Sequence, residues 1–438
     1  MKRTLPIIIL LALLGGLIMS WSNVLSFAGR EEREFKSLVK KAEEYEKKEI
    51  YIDAVAQYEK ALAMRPDNYE VAMKIVELYS DEKLANNAKY LRACENANRI
   101  KPKEQEPYRL IIDYYRETGA IAKEYETIKK AIEKAGLTDY QERLLEIKSS
   151  NAEVYLKYEE ISTYHRIDGK EYAVAKLDGE LMLITKDAVV LSGDYEKIGL
   201  LGGNVIPVKQ GGEWFYVTRE GYKKRVPEKK AEYLGTFANG YAPACVDGVY
   251  GYYSTTMKAS HFEYDYAGPF EGNVATVCKD GKWKLINSSF DDVGEKKHEG
   301  ILLDEFGYGT TYGVYFAKED GKLYVYSKTG KRLSDGFEDA KLFASNEPAA
   351  VKVNGKWTFV SQKGKLLESP QYEDAESFNL GFAPVKIDGK WGVIDEEYNL
   401  LVEPLYDSMT PFGSDGTSIV TRDGITMMLK MLVVNYGG

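Results

Sequence analysis

Glycine-centred turns recur along the second half of this chain, and they constrain its fold more than any other feature. Successive turns are 33, 36, 33, 40, 34, 34 and 35 residues apart. A nearly fixed period of this size indicates a solenoid, a propeller or an open array. The region from about Tyr158 to the C-terminus is therefore predicted to be a tandem array of short β repeats. The turn glycines are Gly179, Gly212, Gly248, Gly281, Gly321, Gly355, Gly389 and Gly424.

Each turn is predicted to join the two strands of a hairpin. The clearest copies are residues 381–395 and 349–360, and a weaker copy covers 274–286. Asp-Gly and Asn-Gly pairs supply the positive φ that a two-residue hairpin turn needs at both positions. Alternating apolar and polar residues give each strand one buried and one solvated face. In three copies a tryptophan begins the returning strand and is expected to cover the turn: Trp283, Trp357 and Trp391.

A second motif precedes the hairpins. It consists of an aromatic residue, then an acidic residue, then another aromatic six residues after the first, as in Tyr372 to Phe378 and Tyr406 to Phe412. We predict an outer strand plus a turn here, so that each repeat has three to four short strands. Because its carboxylates recur with the period, they are expected to be structural.

The repeats resemble the WG-repeat family, whose Trp-Gly pair is present here as Trp391-Gly392. The resemblance covers nearly all of residues 170–430 and implies a β-repeat domain, and it supplies no catalytic residue that could be carried over. Eight repeats of three to four strands predict a closed eight-bladed β-propeller, which leaves only short, protected edges. An open β-repeat array is the alternative. The apolar last copy, residues 427–434, needs a partner strand, which ring closure would supply.

Residues 30–156 are rich in Ala, Glu, Lys, Leu and Tyr at helical spacing. Small residues, aromatics and a closing proline occur at Ala42, Tyr45, Ala54, Tyr58, Ala61 and Pro66. These positions resemble the tetratricopeptide family, as do units over residues 69–102 and 103–136. Residues 138 to about 155 are predicted to form one more amphipathic helix that caps the array. The expected fold class is α+β multidomain, a tetratricopeptide solenoid over 30–156 followed by an all-β repeat domain over 157–438.

The resemblance to tetratricopeptide arrays implies a peptide groove on the concave face of the helices. The array could instead only space the β domain from the membrane or form a dimer contact. The candidate groove residues are Val39, Lys40, Glu43 and Lys47 in the first unit and Arg109, Asp113 and Arg116 in the third, with Glu46 and Leu110 beside them.

Residues 1–29 contain Lys2 and Arg3, then an apolar run long enough to span a bilayer. Positive charge before such a run keeps that end in the cytoplasm. We expect a single-pass signal-anchor in the cell membrane, with the bulk of the chain extracytoplasmic. Because residues 26–28 also resemble a cleavage site, secretion after removal of a signal peptide is the alternative.

Composition argues against several classes of function. A net charge of −9 gives no electrostatic footprint for nucleic acid. None of the three histidines pairs with another histidine or a cysteine at metal-ligand spacing, so each is expected to be a surface or turn residue. Cys94, Cys245 and Cys278 do not form a disulfide framework. No nucleophile-elbow or phosphate-loop motif occurs, so we expect no enzyme activity and no cofactor.

The sequence thus favours a membrane-tethered, extracytoplasmic scaffold that binds a protein or peptide partner. A protein that binds or hydrolyses cell-wall glycan through the β domain is the alternative, and a mere spacer is a third. If the β domain has a site, we expect it where the period fails, in the 40-residue copy between Gly281 and Gly321. That copy contains the candidate residues His298, Tyr308 and Tyr312.

Overall fold

The computed structural model of the protein describes residues 29–80, 83–167 and 169–432. They form two compact units that divide between Ile147 and Lys148. The predicted signal-anchor, residues 1–29, lies outside the described residues except for its last position. Within the described ranges, no helix is both long enough and apolar enough to cross a membrane.

The first unit is a series of helices joined by short turns, and each helix packs on the next. The described part of this unit contains α1 (29–46), α2 (Tyr51–Met64), α3 (Tyr69–Tyr79), α4 (Asn87–Ile100), α5 (Glu106–Glu117), α6 (Ile121–Ala135), a 3₁₀ turn (Thr138–Tyr140) and α7 (Gln141–Lys148).

Local sequence signals determine where several of these helices begin and end. The side chain of Asn68 accepts a hydrogen bond of 3.0 Å from the Val71 amide at the start of α3. Asn86 accepts a bond of 3.1 Å from the Lys89 amide at the start of α4. Such caps satisfy amides that have no partner inside the helix. Gly136 ends α6 in the left-handed conformation, with φ of 61°.

The predicted last helix is shorter than expected. It ends at Lys148, and residues Asn151–Tyr155 form strand β1 instead of helix. β1 pairs antiparallel with the last strand of the chain, β31 (Ile425–Met431). That pairing covers the apolar last copy, so tertiary contact overrides the local helical pattern. The partner strand comes from just before the first repeat.

The second unit contains eight small antiparallel sheets, which we number as blades in chain order. Blade 1 has β2 (Glu160–Ile161), β3 (His165–Ile167), β4 (Lys170–Leu177), β5 (Glu180–Ile184) and β6 (Val189–Gly193). Blade 2 has β7 (Lys197–Ile198), β8 (Ile206–Gln210), β9 (Glu213–Val217) and β10 (Lys223–Arg225). Blade 3 has β11 (Tyr233–Leu234), β12 (Tyr241–Val246), β13 (Val249–Ser254) and β14 (Ala259–Tyr264). Blade 4 has β15 (Tyr266–Glu271), β16 (Val274–Lys279), β17 (Lys282–Asn287) and β18 (Asp292–His298).

The remaining blades repeat this order, but blades 5 and 6 have three strands instead of four. Blade 5 has β19 (Gly300–Ile301), β20 (Val314–Glu319) and β21 (Lys322–Ser327). Blade 6 has β22 (Asp339–Ala340), β23 (Ala349–Val353) and β24 (Lys356–Val360). Blade 7 has β25 (Asp374–Ala375), β26 (Phe382–Ile387), β27 (Lys390–Asp395) and β28 (Leu400–Tyr406). Blade 8 has β29 (Ser408–Met409), β30 (Thr417–Arg422), β31 and, as its outer strand, β1.

The ring closes through blade 8, so the β domain is an eight-bladed β-propeller, as predicted. β1 is held by Glu153, which bonds both terminal nitrogens of Arg422 at 2.8 Å and the Tyr406 hydroxyl at 2.6 Å. On the other side, Lys186 of blade 1 pairs with Asp415 of blade 8 at 2.5 Å. The first and last repeats are therefore neighbours.

The recurring carboxylate is structural, as expected. In all eight turns both central residues have positive φ, as at Asp388 (50°) and Gly389 (77°). In blade 7, Glu373 accepts a hydrogen bond of 3.0 Å from the Gly389 amide. The equivalent carboxylates of blades 2, 4 and 6 accept the same bond, and those of blades 5 and 8 accept one from the amide of the residue before the turn glycine: Glu196, Asp265, Glu338, Glu299 and Asp407.

The position predicted for the aromatic-acidic-aromatic motif is wrong. It forms the first strand of each blade, which lies at the inner edge beside the central channel, and not an outer strand. The three cysteines are free and buried, Cys245 and Cys278 at equivalent strand positions and Cys94 in the helical core. The turn tryptophans Trp357 and Trp391 are also buried, consistent with packing over the turn.

Candidate functional site

The inner strands place different side chains into the channel on its two sides. In blades 6 and 7, Lys341 and Glu376 form an ion pair of 2.8 Å. The matching positions in blades 2 and 3 are Gly199 and Gly235, which lie directly against the rings of prolines on the next strand. These blades therefore contribute no side chain at this level, and the channel is open beside them.

The 40-residue copy forms a loop that crosses the channel. We call residues 302–309 the bridging loop. Its Glu305 accepts a hydrogen bond of 2.8 Å from the Thr163 amide of blade 1. The Tyr266 hydroxyl of blade 4 donates to the Gly307 carbonyl at 3.3 Å. Residues of the loop line two cavities, one on each side of it.

The side chain of Asp304 holds the bridging loop in place through hydrogen bonds. Its Oδ1 accepts hydrogen bonds from the amides of Phe306 at 2.9 Å and Tyr308 at 2.8 Å. Its Oδ2 lies 2.7 Å from Nδ1 of His165 in blade 1. The His165 ring stacks on Tyr308 at 4.1 Å between centroids. One carboxylate therefore sets both the shape of the loop and the orientation of the imidazole.

The larger cavity has a volume of about 750 Å³ and lies against blades 1 to 4. We call it the aromatic cavity, because Trp214, Tyr233, Tyr250 and Tyr266 form one wall. Neighbouring rings in this series are 5.9, 6.1 and 5.5 Å apart. The lining also includes carboxylates and part of the bridging loop, including Glu305.

The smaller cavity, of about 400 Å³, lies on the other side of the loop, and we call it the polar cavity. Among the described residues, three buried polar atoms on its walls have no hydrogen-bond partner: Nε2 of His165, Oε2 of Glu271 and Oγ1 of Thr311. Burial raises the pKa of Glu271 to about 7, and the nearby charge of Asp304 acts in the same direction. This cavity can therefore exchange hydrogen bonds with a polar molecule.

The candidate residues of the irregular copy are separated in the structure. Tyr308 lies in the bridging loop, and Tyr312 lines the polar cavity with φ of 52°. His298 lies in β18, where it bonds Glu319 at 3.0 Å and the Tyr315 hydroxyl at 3.1 Å. The expectation that each histidine is a surface or turn residue is wrong for His298, which is 2% exposed. Burial lowers its pKa.

The groove residues predicted for the third helical unit lie together, but the chain itself contacts them. Arg109 pairs with Asp139 at 2.5 Å, and Arg116 lies 3.7 Å from Asp113. Both arginines lie over the Tyr140 ring, at 5.7 and 5.2 Å. Three predicted residues of the first unit lie on α1, where Val39 is half-buried and Lys40 and Glu43 are exposed. The fourth, Lys47, follows the helix directly and is also exposed.

An open cavity of about 560 Å³ lies elsewhere on the helical unit, between α3 and α5. We call it the helical groove. Its lining is Tyr69, Glu70, Met73, Lys74, Val76, Glu77, Ser80, Tyr90, Glu106 and Leu110. Of the residues named from the sequence, only Leu110 lines it. The α3 positions were not singled out, although they repeat the spacing of those on α1.

In the part of the chain that the structure describes, no group of three or more His, Cys, Asp or Glu side chains is placed to hold a metal ion.

Comparisons with known proteins support the β repeats. The family model described as WG containing repeat matches residues 259–283, 357–391 and 391–424. No curated protein matches the chain.

Solved structures that resemble the chain do so only distantly. The AfRom2 CNH domain is 10% identical with a TM-score of 0.31, and the match covers 54% of this chain and 93% of that one. BBS1N, in a complex with ARL6DN, is 16% identical with a TM-score of 0.30 over 66% and 97%. Dipeptidyl peptidase 4 of Porphyromonas gingivalis is 9% identical with a TM-score of 0.37 over 56% and 50%. The β domain of this chain is an eight-bladed propeller, three stretches of which match the WG-repeat model, and this repeat-based architecture is suited to binding.

Proposed function

We propose that the protein is a membrane-tethered, extracytoplasmic scaffold whose helical unit is a tetratricopeptide solenoid that binds a protein or peptide partner. The tether would be the apolar segment of residues 1–29. Packing of the first hairpin supports the family assignment. The small residues Ala42, Ala54 and Ala61 are each 0% exposed, and Tyr58 is 1% exposed, as expected where two helices of such a unit touch.

The helical groove is the observation that carries this proposal. Its floor is apolar, with Met73, Tyr90 and Leu110 exposed to the cavity. Acidic residues outnumber basic ones on its walls, where Glu70, Glu77 and Glu106 face a single lysine, Lys74. That lysine is paired with Glu77 at 3.1 Å. The partner that fits is a segment with an apolar anchor between basic residues, since charge complementarity guides such contacts.

A peptide-display selection against the full-length chain tests the groove. Peptides selected on the wild-type protein should carry an apolar residue flanked by Lys or Arg. Replacement of Leu110 by Glu should abolish their capture, because it places a charge on the apolar floor. Ile52→Glu is the matched control, since Ile52 is 74% exposed on α2 and does not line the groove. Equal capture by the Leu110 variant and the wild type would refute the groove as the binding surface.

Tethering has its own test. Carbonate extraction of whole cells should leave the full-length chain in the membrane fraction, and external protease should digest residues 30–438. A soluble chain that lacks its first residues would support signal cleavage and secretion instead.

We propose a binding role for the β domain rather than catalysis. Glycan binding, the alternative that the sequence leaves open, would use the aromatic cavity, because sugars stack on aromatic rings. Retention of the full-length chain on polysaccharide affinity gels tests it, and an unretarded protein would argue against it.

A further inference from the structure

The aromatic cavity has a curved wall rather than a flat one. From Tyr233 to Tyr250 the ring planes turn by 43°, and from Tyr250 to Tyr266 by 40°. Their centroids are 6.1 and 5.5 Å apart. A flat sugar ring stacks best on a single exposed face, and rings tilted by about 40° to one another do not present one. The tilted rings therefore favour a compact ligand over a flat one.

The charges that face the wall are mainly negative. Four carboxylates line the cavity, from Glu160, Glu232, Asp304 and Glu305, against the two lysines Lys176 and Lys197. Lys176 is paired with Glu160 at 3.4 Å. Among the described residues, no lysine or arginine forms an ion pair with Glu232, Asp304 or Glu305. Asp304 is held by His165 and two backbone amides, so the charge available to a ligand is that of Glu232 and Glu305, which accept hydrogen bonds from Cys245 and Thr163 and have no basic partner among the described residues.

The phenol rings stay neutral in this setting. Burial raises the pKa of Tyr233, Tyr250 and Tyr266, and neighbouring carboxylates or phenols add to the rise. A neutral aromatic ring presents a negative face, which attracts a cation placed over it. The attraction is strongest where water is excluded. The ring faces and the carboxylates thus act in the same direction.

From this arrangement we propose that the aromatic cavity is a binding site for an alkylammonium cation. The ammonium group lies against Tyr233, Tyr250 and Tyr266, and Glu232 and Glu305 balance its charge. Primary and quaternary ammonium ligands share this chemistry. The site is independent of the helical groove, so its test does not depend on the function proposed above.

Isothermal titration of the full-length chain tests the proposal with choline, which is a quaternary ammonium, and cadaverine, which carries primary ammonium groups. The uncharged counterpart of choline, 3,3-dimethylbutan-1-ol, has nearly the same shape and serves as its control. We expect at least one cation to bind at least tenfold more tightly than this alcohol and than the neutral sugar cellobiose. Binding should also weaken as salt rises from 0.05 to 0.5 M, because salt screens the carboxylates. Failure of both cations to bind, or tighter binding of cellobiose or of the alcohol, would overturn the proposal.

Two variants assign the binding to this cavity. Tyr250→Leu removes a ring face, and Glu232→Gln removes one charge with almost no change of shape. Each should weaken cation binding about fivefold or more. Tyr222→Leu and Glu228→Gln are the matched controls, because both residues are exposed and neither lines the cavity. If Glu232→Gln keeps its thermal stability and binds the cation as the wild type does, the cavity is not the site.

Discussion

Replacement of Glu271 by Gln should stabilise the propeller in a strongly pH-dependent way. Glu271 ends the inner strand of blade 4 and lines the polar cavity, where its Oε2 has no hydrogen-bond partner in the part of the chain that the structure describes. Burial raises the pKa of its carboxyl from 4.5 to about 7, while the nearby His165 partly offsets this effect. Between these two pH values the folded protein therefore keeps a proton on Glu271 that the unfolded chain has already released.

The direction and size of the effect follow from this difference in pKa. Below about pH 4.5 the carboxyl is protonated in both states, and its ionisation has no effect on folding. Between about 4.5 and 7 the unfolded chain binds fewer protons than the folded one, so the free energy of unfolding falls as pH rises. Above about pH 7 the unfolding free energy falls no further. The total loss is roughly 3 kcal/mol, because each unit of difference in pKa corresponds to about 1.36 kcal/mol. Glutamine cannot ionise and avoids this loss.

Denaturant titration followed by tryptophan fluorescence measures the effect. Trp214, Trp283, Trp357 and Trp391 lie in the propeller, so this signal reports mainly on the β domain. Glu271→Gln should match the wild type at pH 4.5 and exceed its unfolding free energy by about 3 kcal/mol at pH 8. The exposed Glu228→Gln is the control and should show no such dependence. A variant that gains nothing between pH 4.5 and pH 8 would refute the reasoning that Glu271 is destabilised by burial.

Three further replacements test how the propeller is held together, each by the same titration at pH 7. Gly389→Ala should cost about 1–2 kcal/mol from backbone strain alone, since φ there is 77° and no atom lies within 4 Å of the added carbon; an unchanged midpoint would mean that the turn relaxes. Glu376→Leu should lower the free energy of unfolding by about 3 kcal/mol, because Lys341 loses its partner. The double variant with Lys341→Met should recover most of that loss, since no unpaired charge remains. Equal losses in the single and double variants would contradict an uncompensated charge as the cause. Tyr406→Phe should cost about 1–2 kcal/mol, because its hydroxyl bonds the carboxylate of Glu153 on the closing strand; no loss would show that backbone pairing alone closes the ring.

The regular part of the propeller could be predicted because its causes are local and repeat. An Asp-Gly pair such as Asp388-Gly389 specifies a hairpin turn by itself, and eight turn pairs at a nearly constant spacing, six of them Asp-Gly, specify eight units. The carboxylate that caps six of the eight turns also recurs with the period, which indicates a structural role. Its location at the inner edge was missed, because period and burial pattern are the same for an inner and an outer edge strand. Only the packing of blades around an axis distinguishes the two.

The site could be predicted only as the place where the period fails. The longer copy of blade 5 indicated an insertion, but its length does not reveal where the loop goes. The loop is held by partners distant in sequence: Thr163 and Glu305 are 142 residues apart, and His165 meets Asp304 across the channel. Nor could strand β1 be recognised, because its pairing with β31 exists only once the ring has closed. The tyrosines of the aromatic cavity repeat with the blades, so the sequence period alone does not distinguish them from packing residues. They line a cavity because the inner strands of blades 2 and 3 have no side chain at one position. Gly199 and Gly235 leave open there the space that Lys341 and Glu376 fill on the opposite side of the channel. A residue that recurs in every repeat for structural reasons can thus also line a binding site. Such a site is indicated where several adjacent repeats have glycine at the position whose side chain points into the channel in the other repeats.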